Sequence, residues 1–276
     1  MSPLRILKPD WPAPANVHAF TTTRKGGFSQ APYDQFNLGA FAGEDLQVVQ
    51  QNRALLNALL PQAPFWIKQV HGTDVVMAQG VHEGIGDSII EADASVTTHS
   101  QTVLSILAAD CMPVLLTNRF GTAVAAAHAG WRGLCAGVLE NTVAKLLKAS
   151  SCTPSDLLAW IGPSISVAHY EVGAEVRAAF IASAAQFDYQ LDAACFIPNH
   201  ASGPDKYLAD LPRIAKSRLQ ALGINAVYGG DLCTYRDPER FYSYRRETPT
   251  GRFASLIWFN PKSIDQGPCR TMAHRS

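Results

Sequence analysis

The chain has 276 residues, 47% of them hydrophobic and 17% charged, a composition that can bury a substantial core and excludes disorder as the default state. Lysine plus arginine and aspartate plus glutamate each number 23, for zero formal net charge, so the bulk basic excess of a nucleic-acid or anionic-membrane binder is missing. The first twenty residues are broken by Pro3, Pro9, Pro12 and Pro14, and Cys111, Cys135, Cys152, Cys195, Cys233 and Cys269 are scattered without a C-x-x-C pair; with no run of about 18 apolar residues, a cytoplasmic protein with reduced thiols and no membrane span is expected.

In chain order, apolar runs rich in β-branched residues predict strands at Val17–Thr23, Phe65–Gln69, Asp74–Ala78, Thr102–Leu107, Pro113–Thr117, Thr122–His128, Leu157–Ile161 and Arg252–Trp258. Helical periodicity marks Asp45–Leu60, with Val48, Leu55, Leu56, Leu59 and Leu60 on one side, and Leu134–Leu147, with Leu134, Val138, Val143, Leu146 and Leu147. Two more helices are predicted at Glu175–Ala185 and Leu208–Leu222, the last closed by Gly223 as a C-cap. Strands run in series from Phe65 to His128 without a helix after each, which argues for an α+β arrangement of mixed or antiparallel sheets over a doubly wound parallel sheet. The Pro/Gly-rich stretches 26–32 and 198–204 have loop length only, so one domain is expected over 1–276. Its core spans about 17–260, and 261–276 reads as a loose tail.

Several residues could carry chemistry. His128 ends the run TAVAAAH and is followed by AGWRG and a helical pattern. A strand that turns through Gly130 and Gly133 into a helix puts the imidazole at the strand's carboxyl end, beside free backbone N–H groups that suit an anion. Arg132 adds a planar donor fork in the same turn. The plainer alternative is a satisfied core histidine with glycines serving only the turn. Asp110 and Cys111 form an ionisable pair inside the apolar run SILAADCMPVLL, where an unpaired carboxylate would be costly. A cation could compensate, but an inert buried cysteine beside a hydrogen-bonded aspartate is the slightly better fit to these residues alone. His71 precedes Gly72 between two strand-like runs and alone signals only a turn. As a set, His71, Cys111 and His128 suit Zn²⁺ with an open fourth position, although their spacing does not prove that they converge.

Three further segments stand out. Thr23–Ser29 (TRKGGFS) sets Arg24 and Lys25 beside a Gly-Gly turn, either as a substrate-anion loop or as a solvated hairpin. Gly162–Ile165 forms a stiff post-strand loop leading to Tyr170-Glu171-Val172. Phe241–Arg246 and Thr250-Gly251-Arg252 combine aromatics with arginines, which reads more readily as an aromatic core edge with cation–π contacts than as nucleobase stacking.

Taken in order, TRKGGFS with Asn37-Leu38-Gly39, KQVHG, ADA (Ala92–Ala94), AADCMPVLL, AHAGWRG, IGPSI…YEV and FYSYRR…TGRFASLIW resemble the successive motifs of the laccase-domain family. Its members were formerly labelled multicopper polyphenol oxidases and are now described as purine nucleoside phosphorylases. The resemblance covers about Phe20 to Trp258. It implies one α+β domain of mixed sheets flanked by helices, distantly similar to cysteine hydrolases of the cytotoxic-necrotising-factor type. It also implies a metal held by the histidine of QVHG, the cysteine of ADC and the histidine of AHAGWRG, which are His71, Cys111 and His128 here. One departure is Ser166-Val167-Ala168-His169, where relatives often carry a cysteine before the Tyr-Glu pair; His169 is an extra imidazole without an assigned role.

The implied activity is zinc-dependent phosphorolysis of adenosine, inosine, guanosine and methylthioadenosine, with adenosine deamination as a second activity. The expected partners are therefore nucleosides and phosphate, and neither nucleic acid nor membrane. Arg132, helped by Arg24, could hold the phosphate, with Asp110 also placed among the catalytic residues. Absence of the H-x-E…P-C-x-x-C signature means that any deaminase here uses another layout. A multicopper oxidase would need on the order of ten histidines, typically in H-x-H pairs, whereas the chain has eight and no H-x-H; copper would then bind only adventitiously, in vitro. A different enzyme class is a cysteine hydrolase editing cell-wall peptide precursors, with Cys111 as nucleophile and His128 as base. A pure binding module would require a structural zinc, which normally takes four protein ligands rather than three.

Overall fold

The computed structural model describes residues 4–86 and 89–262. The chain opens with β1 (Ile6–Leu7) and β2 (Val17–Thr22), then α1 (Leu46–Asn57), β3 (Val75–Met77), β4 (Ala94–Thr97), β5 (Leu104–Ala108), β6 (Met112–Asn118) and β7 (Val124–Ala129). There follow α2 (Trp131–Ala136), α3 (Val138–Ser150), β8 (Leu157–Ile161), β9 (Glu171–Gly173), α4 (Ala174–Gln186), β10 (Phe196–Pro198), β11 (Lys206–Ala209), α5 (Leu211–Ala221), β12 (Ala226–Gly229) and β13 (Phe253–Phe259). None of these helices is long and apolar enough to cross a membrane.

Three sheets organise the molecule. The largest has six strands in the order β12-β8-β6-β7-β4-β3, with β12/β8 and β4/β3 parallel and the central pairs antiparallel. A four-stranded antiparallel sheet runs β1-β2-β13-β5, and a three-stranded one runs β10-β11-β9. The mixed α+β class is therefore the observed one.

Strand parity explains the layering. On β6, Met112, Val114 and Leu116 face a core shared with α3 (Leu139, Val143, Leu146), α4 (Phe180) and α5 (Ile214, Leu219). Leu115 on the same strand faces the other way, meeting Val124, Ala126, Leu104, Ile106 and Ile257 in the core between the two larger sheets. The outer face of the four-stranded sheet packs Phe20, Val103, Leu256 and Trp258 against Leu56 of α1 and Trp66. A strand covered on both faces loses polar alternation, which is why β6 and β13 are buried along their whole length. Arg218 of α5, fully buried, donates through Nε to Glu140 of α3 at 2.6 Å and through Nη1 to the carbonyl of Leu134, tying the helical layer together.

Some expected elements change shape. The helix predicted over Leu134–Leu147 is two helices, because Gly137 sits at φ 104° and acts as C-cap of α2 and N-cap of α3. The helix predicted from Leu208 starts at Leu211, because Asp210 caps it through a bond from Arg213 N, and Leu208–Ala209 belong to β11. Phe65–Gln69 forms no regular strand. Phe65 N donates to Val103, Trp66 N to His82 and Lys68 N to Ile90, so neighbouring residues bond to different segments and no continuous ladder forms. The expected tail falls, from 263 onward, outside the described residues.

Candidate metal centre

Cys111 lies where the chain leaves one large sheet for the other. β5 belongs to the four-stranded sheet and β6 to the six-stranded one, and the three residues between them make the corner, with Asp110 at φ 90°. His128 is near the end of β7, paired with Pro113 of β6, so strand register alone brings it close to Cys111. His71 comes from the turn before β3 and also has a left-handed backbone, φ 62°. The three converge: their ligand atoms all lie within 4.8 Å of one another. Cys111 Sγ is 3.6 Å from His71 Nε2, and the two imidazole centroids are 4.8 Å apart at 73°.

The surroundings fit a small cation. A Cβ on Gly130 would come within 3.0 Å of His71 Cδ2 and 3.1 Å of Cys111 Sγ, so any larger residue in the β7–α2 turn would push on the donors. A thiolate and two imidazoles are the soft and borderline donors that zinc takes, leaving a fourth position open. Among the described residues this is the one histidine, cysteine and carboxylate group with such geometry.

Charge is arranged to match. Burial pushes the Cys111 thiol up, but His128 and then His71 pull it down further, to about 6. Burial likewise lowers His128, while the Cys111 thiolate and the Asp93 carboxylate raise it to about 9. Asp93 is fully buried and accepts from His128 Nδ1 at 2.8 Å. Burial raises its pKa, yet His128 and the backbone amides of Gly72 and Val70 hold it below the ordinary carboxylate value.

The three donors open into a cavity of about 590 Å³ whose walls include Phe41, Ile67, Leu107, Arg132, Ile165 and Tyr170, with Tyr244, Arg245 and Arg252. Arg132 stacks on Trp131, Arg245 on Tyr170 and Arg252 on Tyr244, with guanidinium-to-centroid distances of 4.5, 5.2 and 5.9 Å. Among the described residues none of these three guanidiniums pairs with a carboxylate. Burial, and then the nearby Cys111 charge, push the Tyr170 phenol far up, so it stays a neutral hydrogen-bond donor. A second hollow of about 410 Å³, beside Asp210, Arg213 and Lys216, includes none of the three donors.

Two residues expected in catalysis sit differently. Arg24 does not line the cavity: it is buried, donates to Asp34 O at 2.9 Å and Glu247 Oε1 at 2.7 Å, and stacks over Tyr242. Within TRKGGFS, Arg24 is thus an interior support, whereas Lys25 pairs with Glu239 at 3.1 Å and Phe28 is exposed. Asp110 reaches the cavity wall, yet its carboxylate is occupied by Thr234 Oγ1 at 2.6 Å, Ser243 Oγ at 3.0 Å and Arg245 N at 2.7 Å. It anchors the segment that carries Tyr244 and Arg245. Phe241 and Tyr242 are core residues, as the aromatic-core reading has it, but Tyr244, Arg245 and Arg252 of the same motifs face the cavity. His169 stacks on Tyr235 at 4.5 Å. Asp93, Tyr170 and Arg245 had no role assigned from the sequence; for Asp93 the available signal was its place between Ala92 and Ala94 in the ADA motif.

Sheet order and site together define a class. The family described as multi-copper polyphenol oxidoreductase laccase matches residues 18–260, and the chain belongs to it. Within it, the chain is 48% identical over 252 residues to a purine nucleoside phosphorylase of Pseudomonas aeruginosa, covering 91% of this chain and 97% of that one. It is 47% identical over 259 residues to purine nucleoside phosphorylase YfiH of Escherichia coli, at 92% and 98% coverage. The crystal structure of Neisseria meningitidis protein NMB0706 superimposes with a TM-score of 0.82 at 41% identity, covering 93% of this chain and 99% of that one.

Proposed function

We propose that the protein is a zinc-dependent purine nucleoside phosphorylase acting on adenosine, inosine, guanosine and methylthioadenosine, with adenosine deamination as a second activity. The relatives named for this activity support the reaction class. The observation that carries the reading is the shared cavity: three metal-type donors and three carboxylate-free guanidiniums line one space of about 590 Å³, a volume within the usual range for small-molecule sites.

In this reading a phosphate oxygen forms a bond to C1′ of the ribose as the bond from C1′ to the purine nitrogen breaks; the proton of the incoming hydrogen phosphate ends, through solvent, on the purine, giving ribose 1-phosphate and free base. Arg132 and Arg245 offer the planar forks that grip phosphate, and the neutral Tyr170 phenol donates a hydrogen bond beside them. Phe41 and Tyr244 line the cavity yet are 58% and 57% exposed, leaving aromatic faces on which a purine can stack. Zinc held by His71, Cys111 and His128 would supply Lewis-acid stabilisation of negative charge at an open position. Deamination of adenosine would use the same cavity with the purine turned toward the three donors: water adds at C6, the bond from C6 to the exocyclic nitrogen breaks, and ammonia leaves.

Copper redox chemistry fits less well. A blue-copper His₂Cys site adds a long axial Met, and Met112, next to Cys111, packs instead into the helix-side core. The cysteine-hydrolase reading does have an observation in its favour, the thiol near 6 beside an imidazole near 9, an arrangement that suits a nucleophile.

The direct test is release of free base from a nucleoside panel, with and without phosphate. Phosphorolysis requires phosphate and yields ribose 1-phosphate; phosphate-independent turnover yielding ribose would overturn the assignment. Arg132→Ala should raise KM for phosphate about tenfold or more while leaving KM for nucleoside nearly unchanged, as loss of one charge-assisted contact implies. Equal small changes in both constants would remove Arg132 from the phosphate site.

A further inference from the structure

Asp93 holds the backbone of both histidine segments and the ring of His128. Its carbonyl accepts from His128 N at 2.7 Å, and its Oδ1 accepts from His128 Nδ1 at 2.8 Å, so one residue grips both main chain and ring of His128. The same Oδ1 accepts from His71 N at 2.9 Å, while Oδ2 accepts from Gly72 N at 2.6 Å and Val70 N at 3.2 Å. Three successive amides of the QVHG turn thus converge on one buried carboxylate. Such a turn needs that anchor, because His71 holds a left-handed backbone that a non-glycine residue adopts only at a cost.

Chemistry follows from the acceptor count. An ionised carboxylate has about four lone-pair positions and no proton to give, and here four donors occupy them. Asp93 therefore has no capacity left to bind a cation or take a proton from a substrate. Because it can only accept, the His128 nitrogen facing it must carry a hydrogen, which leaves Nε2 as the ring nitrogen whose lone pair a cation can take, displacing any proton there. On His71 it is likewise Nε2 that lies nearest Cys111 Sγ.

We infer that Asp93 is the positioning residue of the metal centre: it selects the His128 tautomer that presents Nε2 and holds the His71 turn in place, so that both histidines ligate through Nε2. This rests on the metal reading of His71, Cys111 and His128. Asp93→Asn has nearly the same shape but turns one acceptor oxygen into a donor. If the amide group faces His128, the ring must accept at Nδ1 and carry its hydrogen on Nε2, which removes that lone pair from the centre. If it faces the turn, the Gly72 and Val70 amides lose their acceptor.

The test compares zinc binding by wild type and Asp93→Asn, using competition with a chromophoric chelator, alongside circular dichroism of both metal-free proteins. The expected result is a folded variant whose zinc affinity is about 10- to 100-fold weaker, the usual effect of removing such an outer partner. Unchanged affinity in the folded variant overturns the inference while leaving the metal reading intact. Absence of zinc binding in wild type overturns the metal reading, and the inference with it. Should the variant fail to fold, long-range ¹H–¹⁵N spectra of zinc-loaded wild type decide: hydrogen on Nδ1 and metal on Nε2 of His128 support the role, and the opposite assignment overturns it.

Discussion

Cys111 and His128 titrate against each other, and the consequence is a defined proton balance for metal loading. With the thiol pulled to about 6 and the imidazole raised to about 9, the metal-free pair between those values is a thiolate beside an imidazolium. A cation must displace the imidazolium proton from the nitrogen facing Cys111, so loading near pH ~7.5 should release about one proton per ion. The sign follows: lowering the pH favours the proton and weakens metal binding, by about tenfold per unit between those two values. Below the thiol's value a second proton competes and the dependence steepens. Calorimetric titration with zinc in buffers of different ionisation enthalpy measures the number directly; release of no proton would mean that His128 is already neutral. At this scale His71, Cys111 and His128 were legible because each sits where a strand-like run meets a turn and matches a family motif. Asp93 had no role assigned and Arg24 was expected at the phosphate, because hydrogen-bond partners far apart in sequence decide whether a charge is spent inside or free to meet a ligand. Arg24 meets Glu247 across 223 positions, and Asp93 meets His128 across 35.

Elements were read well where packing on one face imposes a period, and badly where a single residue or partner overrides it. α1 begins after Asp45, which caps it through a bond from Gln47 N, close to its expected start. β8 falls on the expected residues because both of its faces are covered. The break between α2 and α3 was hidden, because Leu134, Val138, Val143 and Leu146 keep helical spacing across it; only the backbone of Gly137 reveals it. β4 and β12 are short, four residues each, and owe their regularity to neighbouring strands rather than to their own sequence. Gly137 makes an element-scale prediction. At φ 104° a side chain is strained, and a Cβ there would lie 2.7 Å from Phe187 Cζ. Gly137→Ala should therefore cost about 1–3 kcal/mol, which for a domain above 200 residues lowers Tm by roughly 2–10 °C. Thermal unfolding followed by circular dichroism measures it. An unchanged Tm would mean that α2 can straighten into α3 without loss.

On the scale of the molecule, the candidate centre adds a further tie between parts of the chain already joined by strand pairing and by Asp93. His71 comes from the turn before β3, Cys111 from the corner between the four- and six-stranded sheets, and His128 from the end of β7. An ion bound only by the folded arrangement stabilises it by mass action, about 2.7 kcal/mol when free metal is a hundredfold above Kd. Stripping zinc with a chelator should then lower Tm by roughly 5–10 °C, and zinc should restore it. The same treatment separates the two enzyme readings. A phosphorylase that uses the ion for charge stabilisation loses base release from inosine on stripping and regains it with zinc. A cysteine hydrolase gains a free thiolate near pH ~7, so its activity rises and iodoacetamide modifies Cys111 at once. Alkylation of the stripped protein occurs in both cases, because the thiol is pulled to about 6 either way. The deciding result is therefore the direction in which turnover moves: loss and recovery with zinc supports the phosphorylase, and a gain on stripping replaces it with the hydrolase.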